Sequence, residues 1–148
     1  MDLPFSHDAF LDVFGAHNTL LWPALVMLWV VTAVTAWRSW SAPRSTARLI
    51  FGLLALHWAW SGIAYHWLFL RPINPAAAVF AAGFVVQAVL FAWLALRPRS
   101  YPMTTSAMRT SIASALVVYG LTYPLLGLST ALEYPRLPLF ALPVRRRW

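Results

Sequence analysis

Hydrophobic residues fall along this chain in four long uncharged runs, 13–37, 49–70, 72–96 and 110–132, separated by short stretches that hold arginines. Each run reaches the roughly 20 residues that a helix needs to cross a bilayer core. The pattern predicts an all-α membrane protein with four transmembrane helices at about 19–37, 49–70, 75–96 and 110–132. Residues 1–18 follow another pattern. Phe10, Leu11, Val13 and Phe14 form an apolar stripe, while Asp8 and Asp12 sit one turn apart on a polar side, which predicts a short interfacial amphipathic helix. Ser6 is placed to cap it, Phe5 to staple onto Phe10, and Gly15 to end it. Residues 133–148 form a Pro/Arg-rich tail, so residues 1–148 read as one membrane domain with two appended segments.

Asn18 is available to cap the first spanning helix, with Pro23 close to its first turn and Trp37 and Trp40 at its far end. The second and third helices are joined by residues 71–74 alone. A connection that short leaves them antiparallel and adjacent. Asn74 followed by Pro75 is a helix start, the amide capping and the proline taking a position that needs no donor. Ala76, Ala77, Ala78, Ala81, Ala82 and Gly83 then allow a neighbouring backbone to come close. The fourth helix carries Gly120, Pro124 and Gly127, so a kink or break is expected near Pro124.

Composition supports this class: 61% of the 148 residues are hydrophobic and 10% charged, with a mean hydropathy of +0.66. All eleven basic residues are arginine, and they set the net charge of +7. In a soluble chain that charge would suggest nucleic acid. Here the arginines lie in loops and at the chain end, so topology and the lipid bilayer explain them and no nucleic-acid partner is expected. Arg38, Arg44 and Arg48 fill one loop and Arg97, Arg99 and Arg109 another, against Arg71 alone between them. Counted by the positive-inside rule, this predicts a multi-pass protein of the bacterial inner membrane with both termini outside the cytoplasm. Arg136, Arg145, Arg146 and Arg147 disagree with that orientation. Asp2, Asp8 and Asp12 before the first run are the reverse of a basic signal-peptide region, so that run is expected to stay in the mature protein.

Polar groups inside the runs are the candidate chemistry, since an ionisable side chain at a helix centre costs on the order of 3 kcal/mol on insertion scales. His57 and His66 are nine residues apart, about 180° around an α-helix, so they cannot share one ligand. The short turn makes a residue of helix 2 level with one of helix 3 when their numbers sum to about 145. That sets His57 beside Gln87, with Ser61 and Tyr65 extending a polar line outward and Tyr119 and Tyr123 of the fourth helix as further members. The outer turn holds His66, Arg71, Asn74 and Pro75, and His66 is expected to face headgroups, Arg71 or another subunit. His7, Asp8, Asp12 and His17 are metal-competent types that a solvated helix face explains as well. Glu133 is expected to pair with Arg136 or to meet water. No phosphate loop, zinc motif or serine elbow is present, and no cysteine, so no catalytic residue, metal or cofactor is assigned.

The stretch His57-Trp58-Ala59-Trp60 through Tyr65-His66-Trp67-Leu68-Phe69 to Pro72-Ile73-Asn74-Pro75-Ala76, with Phe10-Leu11-Asp12-Val13-Phe14 and Tyr123-Pro124-Leu125-Leu126-Gly127, resembles an uncharacterised bacterial membrane family, a domain of unknown function. The resemblance covers nearly the whole chain and implies no activity. It also implies further apolar helices beyond the segment holding Tyr134, Pro135, Pro138 and Phe140, so a truncation or frame change near Pro143 is expected to account for the misplaced arginines.

The expectation for function is therefore a non-enzymatic accessory subunit or permease-like component, forming homo- or hetero-oligomers through small-residue helix faces. The rival is a transporter or channel with a polar path through His57 and Gln87. A third reading, a haem or quinone held by His57 and a histidine of another subunit, lacks a second histidine at matching depth within the chain.

Overall fold

The computed structural model describes residues 4–41, 43–97, 106–126 and 136. Among them every regular element is helical: α1 (His7–Ser41), α2 (Pro43–Ala59), a π-helical segment (Trp60–Leu70) that continues α2, α3 (Ala77–Leu96) and α4 (Ala107–Leu126). Among the described residues three helices are long and apolar enough to cross a membrane: His7–Ser41, Thr46–Leu70 and Ala77–Leu96.

The N-terminus begins as the residues dictate. Ser6 Oγ accepts the Ala9 backbone N–H at 3.1 Å, and Phe5 stacks on Phe10 with ring centroids 5.6 Å apart. These are the cap and the staple of a helix start. The helix does not end at Gly15, however. It runs unbroken for 35 residues through Gly15, Asn18 and Pro23, so the separate interfacial helix at 1–18 is corrected to the first turns of α1. The physical reason is burial. Gly15, His17 and Asn18 all lie inside the packing surface of α1, where leaving the helix would strand backbone donors away from water.

At about 1.5 Å per residue α1 is about 52 Å long, well beyond the roughly 30 Å of a hydrocarbon core. Its first turns cover the end of the hairpin that follows. Val13 packs there with Leu70 and Ala77, flanked by Phe10, Tyr65, Phe69 and Ile73.

The expected loop at 38–48 is also mostly helix, because α1 runs to Ser41 and α2 starts at Pro43. Proline suits a first helical turn, where its missing N–H is not needed. Buried Thr46 closes this corner by donating its hydroxyl to the Arg38 carbonyl at 3.3 Å.

The antiparallel hairpin of the π segment and α3 follows expectation. Asn74 Oδ1 accepts the Ala76 backbone N–H at 3.2 Å, and Asn74 N–H donates to the Leu70 carbonyl at 3.0 Å. Ala77 and Ala81 are nearly inaccessible, at 0% and 3% exposure. Gly62 faces Ala81: a Cβ there would sit 3.0 Å from both the Ala81 carbonyl oxygen and Phe84 Cβ. Small residues thus set the spacing, with Gly62 contributing and Gly83 facing open space.

α4 starts earlier than the expected residue 110, capped by Ser106, whose Oγ accepts the Arg109 N–H at 3.4 Å. It continues past Pro124 to Leu126. Among the described elements α4 packs against α1 alone.

Candidate functional site

α1 is organised by one seam. Leu11, Phe14, Asn18, Leu21, Leu25, Leu28, Thr32 and Thr35 recur at alternating spacings of four and three, and each is buried or half-buried. That spacing is the repeat of a left-handed helix–helix seam. Most of its positions are apolar, but Asn18, Thr32 and Thr35 are not. Two of these polar positions lie at interhelical hydrogen-bonded nodes, which are the candidate site.

The node at the hairpin end surrounds His17, which is 6% exposed, and Asn18, 1% exposed. Trp60 Nε1–H lies 3.3 Å from His17 Nε2, and His17 Nδ1 lies 3.3 Å from Asn18 Oδ1. An indole only donates, so Nε2 accepts and Nδ1–H donates, the pattern of a neutral imidazole. Aromatic rings close around it edge-on. Trp60, Tyr65 and Phe69 lie 6.1, 5.8 and 5.3 Å away between centroids, and Phe14 stacks on Tyr65 at 5.4 Å.

The second node joins α1 to α2 fifteen residues further along α1, roughly 22 Å by helical rise. His57 Nε2 lies 3.2 Å from Thr32 Oγ1, and His57 Nδ1 lies 2.9 Å from the Leu53 carbonyl. Thr32 Oγ1 lies 2.7 Å from the Leu28 carbonyl as well, so its single hydroxyl proton is shared between that oxygen and the histidine. Leu25 and Leu28, 1% and 5% exposed, fill the seam between the nodes.

Trp29 Nε1–H donates to the Leu121 carbonyl at 3.2 Å, and Trp40 Nε1–H donates to Ser114 Oγ at 3.1 Å. These two bonds fix α4 antiparallel along α1. They complete a set in which α2, the π segment and α4 each bond to α1.

The predicted site residues distribute differently from expectation. His57 turns towards α1, with a partner at each ring nitrogen on α1 or α2, so the expected pairing with Gln87 is corrected. Gln87 is half-buried on α3. Tyr65 shares the α1-facing side with His57, where it meets Phe14 and His17. Ser61 contributes its carbonyl, which accepts His66 Nδ1–H at 2.7 Å. Tyr119 and Tyr123 pair with each other at 5.7 Å and are 57% and 39% exposed.

Near the turn of residues 71–74, His66 stacks on Phe84 of α3 at 4.6 Å. Asn74 caps α3, with Pro75 beside it, and Arg71 lies over Trp67 at 3.9 Å. Arg136 pairs with Asp12 at 2.6 Å, while Glu133, its expected partner, lies outside the described residues. No group of three or more metal-ligating side chains converges among the described residues.

His17 and Asn18 are the residues that sequence reasoning missed as a buried site. For Asn18 the signal was a polar residue at a seam position, with His17 beside it, hidden by ending the first helix at Gly15.

Among the described residues this geometry defines a helical protein with three helices long and apolar enough to cross a membrane, in which polar bonds tie α2, the π segment and α4 to one long helix while α3 packs on α2 and the π segment. The chain belongs to DUF6064, a family of unknown function, whose model matches residues 7–145. No curated protein and no solved structure matches it.

Proposed function

We propose that this chain is a non-enzymatic multi-pass membrane protein, an accessory subunit of the bacterial inner membrane that assembles with other helices. The carrying observation is how its polar groups are used. Among the described residues no buried side-chain nitrogen or oxygen lacks a hydrogen-bond partner, and the interhelical bonds tie helices together without converging on one point. Broad apolar faces remain outward on every helix, including Val79, Val86 and Leu90 on α3 and Leu116 and Val118 on α4. Lipid covers such faces, and so do partner helices.

A fourth crossing belongs to this reading. α4 starts beside the C-terminal end of α1, where Trp40 bonds Ser114, and runs back past Trp29 at Leu121. Arg136, ten residues beyond α4, ion-pairs with Asp12 near the N-terminal end of α1. A segment that starts at one end of α1 and pairs at the other supports four spans with both termini on one side, which the arginine count assigns to the outside of the cytoplasm. The pairing also offsets the charge of Arg136 on that side.

The rival polar path through His57 and Gln87 draws less support, because both nitrogens of His57 have partners and leucines occupy the seam beside it. The two readings separate on the full chain in native membranes and in purified form. An accessory subunit migrates with a defined partner in mild detergent, and His57→Leu with Gln87→Leu leaves solute uptake unchanged. A lone monomer with no partner removes the accessory role, and uptake lost in both variants establishes the path.

A further inference from the structure

The hairpin of the π segment and α3 carries one arginine just beyond each end, and both are held in the same way. The Arg71 guanidinium lies 3.9 Å from the centroid of the Trp67 ring, and that of Arg97 lies 3.3 Å from the centroid of Trp93. Each pair is four residues apart, and the tryptophans are 44% and 48% exposed. Neither arginine has a carboxylate partner among the described residues, where the ion pair present joins Arg136 to Asp12.

A guanidinium over an indole is oriented through its π face, which leaves its in-plane N–H donors directed outward as a rigid fork. That fork matches two oxygens of a phosphate. The positions of the forks supply the second argument. α3, which separates them, has 20 residues and is about 30 Å long, the thickness of a hydrocarbon core. Exposed tryptophans at the two ends of such a span sit at headgroup depth.

We propose that Arg71 on Trp67 and Arg97 on Trp93 each bind the phosphate of a glycerophospholipid headgroup, one in each leaflet. This rests on the membrane reading above and assigns that reading two lipid sites. The tryptophans are positioning residues, and the arginines make the contact. The bound lipids fix the depth of the hairpin, so that the N-terminal turns of α1 stand clear of the hydrocarbon.

The test uses the purified full chain, stripped of lipid, titrated with phosphatidylglycerol and observed by native mass spectrometry. Two retained lipids are expected for the unaltered chain, one for Arg71→Gln, one for Arg97→Gln and none for the double variant, with helix content by circular dichroism unchanged. Arg71→Lys, which keeps the charge and loses the fork, is expected to release its lipid at lower collision energy. Equal retention by the double variant overturns the proposal, as does equal retention of diacylglycerol, which has no phosphate. Displacement by millimolar inorganic phosphate shows a free-anion site and overturns the headgroup assignment. Carbonate extraction keeps the two readings apart. Protein released from membranes by carbonate strikes the membrane reading, whereas protein that stays but holds its lipids without the arginines strikes the lipid sites alone.

Discussion

Asn18 and Thr32 are polar residues at seam positions of α1 that apolar side chains would fill without difficulty. Such positions fix which residues face each other across a helix pair, at some cost in stability. Each is joined through a histidine to the next helix: Trp60 bonds His17 beside Asn18, and His57 bonds Thr32. Hydrogen bonds between membrane helices contribute about 0.6 kcal/mol on average and up to about 1.7. Trp60→Phe and Thr32→Val are therefore expected to lower unfolding free energy in detergent by roughly 0.5–1.5 kcal/mol each. Leu25→Ala empties a site that is 1% exposed, and cavity formation there is expected to cost more, about 2–4 kcal/mol. Denaturant titration of the three variants checks the order. If Thr32→Val exceeds Leu25→Ala, polar bonds rather than packing dominate the seam.

At the scale of the element, the helix from Pro43 to Leu70 changes character midway. Its first half is α-helical and its second half π-helical, with the Arg71 N–H donating to the His66 carbonyl at 2.9 Å, five residues back. A wider turn redistributes side chains around the axis. Trp60, Tyr65 and Phe69 accordingly meet α1, while Gly62 and His66 meet α3. Gly62 is where that second interface is tightest. Gly62→Leu is expected to push the π segment and α3 apart and abolish a stable fold, because the obstructing atoms include the Ala81 backbone. Gly83→Ala faces open space, so it is expected to leave stability unchanged or raise it by up to about 1 kcal/mol through helix propensity. Thermal unfolding of the two variants tests the contrast, and a tolerated Gly62→Leu would refute the close contact.

For the whole molecule, α1 is the common partner: α2, the π segment and α4 all pack on it, and its first turns close the hairpin end. The Asp12–Arg136 ion pair reports where the chain returns rather than holding it there, since its side chains are 58% and 52% exposed. Asp12→Asn is thus expected to change stability by no more than about 1 kcal/mol. The absence of native cysteine permits single-cysteine labelling without a background. Cysteines introduced at His7 and Arg136 are expected to react with an impermeant maleimide from one face of the membrane, and one at Ser106 from the other. Labelling of residues 106 and 136 from the same face would exclude the fourth crossing.

Most of the helices and the register across the hairpin were legible in the sequence because they depend on counts. The runs of apolar residues, the four-residue turn and a constant rise place residues level across the hairpin, and contacts such as Gly62 with Phe84 and His66 with Phe80 obey that register. The caps at Ser6 and Asn74 were legible for the same reason, being local chemistry. Rotation was not. A spanning helix that is apolar nearly all round carries no face signal, so the level that put His57 beside α3 could not tell that its ring turns to Thr32 on α1. The continuation of α1 through Gly15 was hidden as well, because glycine ends a helix only where the freed backbone can find water or a cap. Which side of each helix is buried was decided by tertiary packing: the seam of α1, the widened turn of the π segment and the close approach at Gly62 together fix angles that no count along the chain contains.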